Sequence, residues 1–211
     1  MEKINFFSDK TGKFYQLLET STIPVLKINS VPMHKYINVD PLIYVQIKIN
    51  TVKPKGKVLD ICTGFGYNAI QCAKCNSVTL VITIEIDPEV LEMAKVNKAS
   101  NDLFSDKKIS IIRGNAIEEI KAFKENEFDT IMHDPPTFVM APELYHIDFY
   151  KEIFRVLKQK GVFWHYAPEP GKAKDAKKSA VFVKRIGERL KDAGFQNVQY
   201  DCKSGGYIAR K

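Results

Sequence analysis

The chain has no long apolar run. Its most hydrophobic stretch, Val78 to Ile86, is interrupted by Thr79, Thr83 and Glu85, far short of the ~20 residues that span a bilayer. No apolar signal core precedes Ser8, Asp9 and Lys10, so the expectation is a cytoplasmic protein with no membrane partner. Cysteine is scarce, with four residues at 62, 72, 75 and 202. Cys72-Ala-Lys-Cys75 has the spacing of half a zinc site, but no second Cys or His pair follows at metal-binding spacing, so no metal is expected. Arginine is also rare, at five of 32 basic residues. No repeat, low-complexity tract or Ser/His/Asp constellation appears.

The chain has 211 residues, 45% hydrophobic and 27% charged, ordinary for one globular domain or a domain with a small appendage. A chain of this length buries enough surface to fold without disulfides. Formal net charge is +7. That balance favours anionic partners, RNA above all, because each neutralised phosphate releases condensed counterions.

Texture changes near residue 52. Before it come short alternating runs, Ile23 to Ile28 and Ile43 to Ile47, with turn chemistry at Asn29-Ser30 that suggests a hairpin. We read residues 1–52 as a small N-terminal β-rich cap and 53–211 as the main domain. Beyond a polar link containing Pro54 and Gly56, strand-like and helix-like segments alternate. Strands are expected at 57–61, 78–85, 108–113, 128–134 and 161–166, and two short ones near 198–200 and 207–209. The helices fall between them. Asp87-Pro88 supplies an N-cap and a first-turn proline, and Gly194 ends a last helix expected over 180–193. Such alternation implies a doubly wound α/β sheet covered by helices on both faces. Ligands of such sheets bind beyond the carboxyl ends of the strands, where strand order reverses.

Four stretches lie at those ends. In Asp60-Ile-Cys-Thr63-Gly64-Phe-Gly66-Tyr67 the glycines let the backbone turn and approach a ligand, and the next helix aims its free N–H groups at it. Gly64-x-Gly66-x-x-Ala69 also matches a dinucleotide fingerprint. An acid at the strand end would repel a pyrophosphate, however, and suits a ligand with an amino group and a sulfonium. Glu85 follows Asp60 by 85 − 60 = 25 residues and can accept both hydroxyls of a ribose. Asn115, in Arg113-Gly114-Asn115-Ala116, could bond an adenine edge or cap a helix. Asp134-Pro135-Pro136 fixes an extended backbone whose carbonyls, with Asp134, can accept from a neutral –NH2 group and orient its nitrogen toward a methyl donor.

Together these motifs resemble the class I S-adenosylmethionine-dependent methyltransferases over roughly residues 55–211. The resemblance implies a Rossmann-like methyltransferase sheet and S-adenosylmethionine as cofactor, held by Asp60, Thr63, Gly64, Gly66, Tyr67, Glu85, Ile86, Asn115 and Ala116. Asn115 stands where many members carry Asp. Asp134-Pro135-Pro136 is similar to the signature of enzymes that methylate exocyclic amines, with Thr137 at the aromatic position and Phe138 one later. Met33-His34-Lys35, Val39-Asp40-Pro41, Glu143-Leu144-Tyr145 and the stretch from Phe163 to Lys172 resemble a group of small archaeal methyltransferases. That resemblance implies methylation of a cytidine amine in ribosomal RNA. Asp134, Pro135 and Pro136 would be catalytic, Phe138 would contact the base, and Lys172 and Lys174 would grip phosphates. The alternative is an aminopropyltransferase making polyamines from decarboxylated S-adenosylmethionine. Its cationic acceptor would want acids in the pocket, for which a +7 chain with a Lys-rich rim is a poor match. An oxidoreductase using NAD and a nucleic-acid-binding module without catalysis are further alternatives. His34, His133 and His165 are individually better read as structural residues.

Overall fold

The structure is a computed structural model that describes residues 4–169 and 176–211. At the N-terminus β1 (Asn5–Ser8), β2 (Lys13–Leu18), β3 (Val25–Ile28) and β4 (Val31–Pro32) form an antiparallel sheet in that order. The expected hairpin is there: Asn29 and Ser30 both take positive φ, 48° and 67°, the twist that a two-residue turn between antiparallel strands requires. The run Ile43 to Ile47, read above as strand-like, is helical. Helix α1 (Pro41–Val52) starts where the Asp40 carboxylate accepts from Ile43 N, with Pro41 in its first turn. Asp40-Pro41 is the same start signal as Asp87-Pro88. The helix buries one face, Pro41, Tyr44, Val45, Lys48, Ile49 and Val52, but a lysine on that face and the exposed Ile43 opposite it masked the one-sided patterning.

The main sheet follows: β5 (Gly56–Ile61), α2 (Tyr67–Ala73), β6 (Val78–Glu85), α3 (Pro88–Val96), α4 (Asn101–Ser105), β7 (Ile109–Arg113), α5 (Ala116–Glu119), β8 (Phe128–His133), α6 (Ile147–Val156), β9 (Leu157–Tyr166), α7 (Ala176–Asp192), β10 (Gln196–Asp201) and β11 (Gly206–Arg210). The order is β10-β11-β9-β8-β5-β6-β7. β5 through β9 pair in parallel, whereas β11 runs antiparallel to β9 and β10. This is the α/β Rossmann-like methyltransferase sheet expected, joined to an N-terminal antiparallel sheet.

Side-chain alternation along β5 sorts the core into two layers. Val58 packs with Val45, Ile49, Tyr67, Ile70, Val90 and Met93 under α1, α2 and α3. Leu59 and Ile61 pack with Phe149, Ile153, Val183, Ile186 and Leu190 under α6 and α7. Each such fully buried side chain contributes roughly 1.5–3 kcal/mol. Strand order reverses at β5, between β6 and β8, and that places the chemistry at residues 62–67, 85–87 and 134–137. Among the described residues no helix is long and apolar enough to cross a membrane.

Candidate active site

A cleft of about 780 Å³ opens at the carboxyl ends of these strands. The turn after β5, the ends of β6, β7 and β8, and the wall formed by residues 32–37 with α1 surround it. The N-terminal segment is therefore part of the site.

The turn after β5 is held from beneath. Cys62 N and Thr63 N both donate to Ile84 O, at 3.1 and 3.0 Å, and Cys62 sits at φ 72°, a strained value for a residue with a side chain. Gly64 N donates to Glu85 Oε2 at 2.9 Å, and Asp87 N donates to Glu85 Oε1 at 2.9 Å. Each Glu85 oxygen keeps a lone pair for a ligand hydroxyl. Burial raises the Glu85 carboxyl above the usual range, against the pull of those N–H groups. Gly66 lies outside the cleft lining. Its φ is 78°, and a Cβ there would meet Leu103 at 2.6 Å, so packing against α4 requires this glycine.

Asp60 is fully buried and lies below the cleft floor. Its Oδ2 accepts from the Thr83 hydroxyl at 2.7 Å, and that hydroxyl lies 2.6 Å from Thr63 Oγ1, while Oδ1 has no partner. Burial pushes its carboxyl up to about 7. Between about pH 4, the unfolded value, and 7 the native protein therefore binds more protons than the unfolded chain. This group's contribution makes stability fall as pH rises through that window and level off above it. Asp60→Asn is expected to be more stable than wild type at pH 8 by on the order of 4 kcal/mol, with the gap closing toward pH 4. Urea unfolding at several pH values measures it, and a gap independent of pH would contradict this titration.

At the far side of the cleft, Asp134 Oδ2 accepts from Lys48 Nζ at 2.7 Å and from Asn68 Nδ2 at 2.9 Å. Burial alone would raise the Asp134 carboxyl, but the Lys48 ammonium, Asn68 and His34 outweigh it and hold it below the usual range. His34 accepts from Leu26 N through Nδ1 at 3.2 Å, and burial lowers its pKa to about 4, so its ring is neutral. Lys48, Asn68 and His34 were absent from the sequence-derived site. Lys48 lies mid-helix with no motif around it, and Asn68 is an unspecified position of the Gly64-x-Gly66-x-x-Ala69 fingerprint, in the first turn of α2; only the packing of α1 and α2 brings them to Asp134.

The other expected residues divide. Thr63, Gly64, Tyr67, Glu85, Ile86, Asn115, Ala116, Asp134, Pro135 and Pro136 line the cleft together. Tyr67 also donates its hydroxyl to Pro24 O at 2.7 Å, tying α2 to the N-terminal segment. Asn115 Oδ1 caps α5 by accepting from Ile117 N at 3.0 Å. Phe138 turns away, with its ring 5.7 Å from Tyr145 and 5.3 Å from Phe182. His133 and His165 stack 4.5 Å apart in the core. Lys172 and Lys174 lie outside the described residues.

Comparison with known proteins places this geometry. The family model described as "Spermine/spermidine synthase domain" matches residues 42–200. An uncharacterized protein of Methanocaldococcus jannaschii is 44% identical over 94% of this chain and 67% of its own length. A polyamine aminopropyltransferase of Prochlorococcus marinus is 28% identical over 58% of this chain and 44% of its own, so the chain spans less than half of that relative. Among solved structures, a spermidine synthase in complex with the transition-state analogue AdoDATO superposes with a TM-score of 0.75 at 22% identity, covering 99% of this chain and 73% of the other. A SAM-dependent methyltransferase from Archaeoglobus fulgidus gives 0.55 at 18%, over 75% and 70%. These likenesses show the shared fold.

The family match overturns the expectation of RNA methylation at a cytidine amine, and with it the RNA partner. The physical reason lies in where the charge sits. A net charge of +7 is summed over the surface, and beyond about 10 Å it is screened. The cleft wall carries Glu85, Asp87, Asp134, Glu143 and Glu169. Against these five acids stand three lysines, Lys13, Lys35 and Lys48, of which Lys13 is paired with Asp87 at 2.9 Å and Lys48 with Asp134 at 2.7 Å. Such a wall attracts cations, and the objection that net charge raised against an aminopropyltransferase falls away.

Proposed function

This chain belongs to the spermine/spermidine synthase domain family, and from that premise we propose that it is an aminopropyltransferase that joins the aminopropyl group of decarboxylated S-adenosylmethionine to an amine of a polyamine. The observation that carries this reading is the family match over residues 42–200, which takes in the cleft from α1 to β10.

In this reading residues 53–211 form the catalytic domain and residues 1–52 its cover. Glu85 accepts the ribose hydroxyls, and Ile86, Asn115 and Ala116 flank the adenine. Thr63 and Gly64 face the sulfonium, with Asp60 below them adding compensating charge once it ionises above about pH 7. Asp134 and the Pro135 carbonyl orient the acceptor amine. Its lone pair attacks the methylene carbon beside the sulfonium, forming C–N as C–S breaks. The bonding pair goes to sulfur, and neutral methylthioadenosine leaves. The positive charge that began on sulfur passes to nitrogen, so the protein must chiefly align the two substrates and exclude water.

Separate incubations with decarboxylated S-adenosylmethionine plus putrescine or spermidine, and with S-adenosylmethionine plus the same amines, test this. Methylthioadenosine and an aminopropylated amine are expected from the decarboxylated donor alone. S-adenosylhomocysteine from the intact donor, or no methylthioadenosine from either, would overturn the reading.

A further inference from the structure

Lys48 is a lysine where an acceptor site would not obviously want one. Its side chain is 5% exposed. Its ammonium lies 2.7 Å from Asp134 Oδ2, 5.1 Å from the centroid of Tyr44 and 5.2 Å from that of Trp164. A carboxylate backed by two aromatic faces is a built ammonium site, and the chain fills it with its own cation.

The consequence follows from the chemistry of the nucleophile. A free aliphatic amine is protonated at neutral pH, with a pKa near that of lysine, about 10.4, and an ammonium has no lone pair to attack with. An unpaired Asp134 would hold the acceptor in that inert form, because an opposite charge within ~4–6 Å favours the charged state. With Lys48 already paired to it, the carboxylate keeps hydrogen-bonding capacity but offers little net charge.

We propose that Lys48 is a positioning residue for the transfer: its fixed ammonium, one carboxylate away from the acceptor nitrogen, holds the bound amine in its neutral, nucleophilic form. This rests on the aminopropyl-transfer reading. The acceptor sheds its proton to solvent on binding, and its lone pair is then free to attack. The other titratable groups facing Asp134 leave Lys48 in control. His34, from the loop before α1, is neutral, and burial raises Tyr44, Cys62 and Tyr166 above their usual values, so they too are uncharged. Asp60, from β5, is neutral below about 7 and ionised above it, a charge opposite in sign to Lys48 that wild type and both variants share. Asn68 donates without charge.

The test is the pH dependence of kcat at saturating donor and acceptor, which rises as the bound amine loses its proton. Lys48→Gln keeps a donor and removes the charge, and is expected to displace that rise upward by about one pH unit or more, lowering kcat at pH 7 roughly tenfold. Lys48→Arg keeps the charge and is expected to leave the rise in place. An unmoved rise in Lys48→Gln overturns the inference. So does a downward displacement, in which Lys48 would merely suppress Asp134 as a base, or an equal displacement in both variants. A second measurement needs no variant: a ¹⁵N-labelled acceptor amine, bound to wild type with methylthioadenosine, is expected to titrate below its free value. An equal or higher value overturns the inference even where aminopropyl transfer is established. Wild type that forms no methylthioadenosine overturns the function and this inference together.

Discussion

Asp134→Asn is expected to lower kcat/KM for aminopropyl transfer by about 10²–10³-fold, while affinity for methylthioadenosine stays within a few-fold of wild type. The carboxylate sits at the acceptor end of the cleft, away from the Glu85 corner, so the loss should appear in acceptor alignment rather than nucleoside binding. The same substitution leaves Lys48 as a buried cation without its counter-charge, which destabilises by roughly 3–5 kcal/mol. The pH dependence follows from the lowered Asp134 carboxyl. Its stabilising contribution in wild type is complete above the unfolded value of about 3.9 and is lost only as pH falls through the still lower folded value. The part of the stability difference that comes from Asp134 should therefore already be complete by pH 5. Adding Lys48→Met to Asp134→Asn should recover much of the stability and none of the activity. Urea unfolding and steady-state kinetics measure both halves. An Asp134→Asn enzyme with wild-type kcat/KM would remove Asp134 from the reaction.

Glu85→Gln is expected to weaken methylthioadenosine binding by about 100-fold or more. Two charge-assisted hydrogen bonds to a ribose contribute roughly 1.5–3 kcal/mol each. The effect is compounded because Glu85 also shapes its own pocket. Its two oxygens accept Gly64 N and Asp87 N, so whichever oxygen becomes the amide nitrogen sets a donor against a donor and loosens the turn after β5. In wild type the raised Glu85 carboxyl means that protonation on acidification begins above the ordinary value of about 4.3. Nucleoside affinity should therefore decline earlier in acid than for a solvated carboxylate. Calorimetric titration across pH reports both effects, and unchanged affinity in Glu85→Gln would exclude the ribose role.

The motif residues were legible in the sequence because strand-end chemistry is local. Thr63, Gly64, Glu85, Asn115 and Asp134 stand in short segments directly after apolar runs, and a parallel sheet carries all such segments to one edge. Ile43 to Ile47 was misread because Lys48 stands on the buried face of α1 and Ile43 on its exposed face, which erases the 3.6-residue contrast and leaves a run that resembles a short buried strand. Gly66 was read as a ligand contact, yet its neighbour is Leu103, a partner no local pattern announces. The choice between RNA methylation and aminopropyl transfer went astray for an electrostatic reason. Composition reports total charge, whereas a ligand responds to the few groups within a screening length.

Beyond residue 52 the order of strands and helices, the parallel α/β sheet and the carboxylates at its carboxyl edge were determined by the sequence alone, through apolar periodicity and turn chemistry acting over a few residues at a time. Tertiary structure decided the rest. It brought Lys48 of α1 and Asn68 of α2 onto Asp134 across 86 and 66 residues of chain, sank Asp60 beneath the floor and gathered acids around the cleft. Those pairings depend on how layers pack, and close packing makes contacts between residues that share no local pattern.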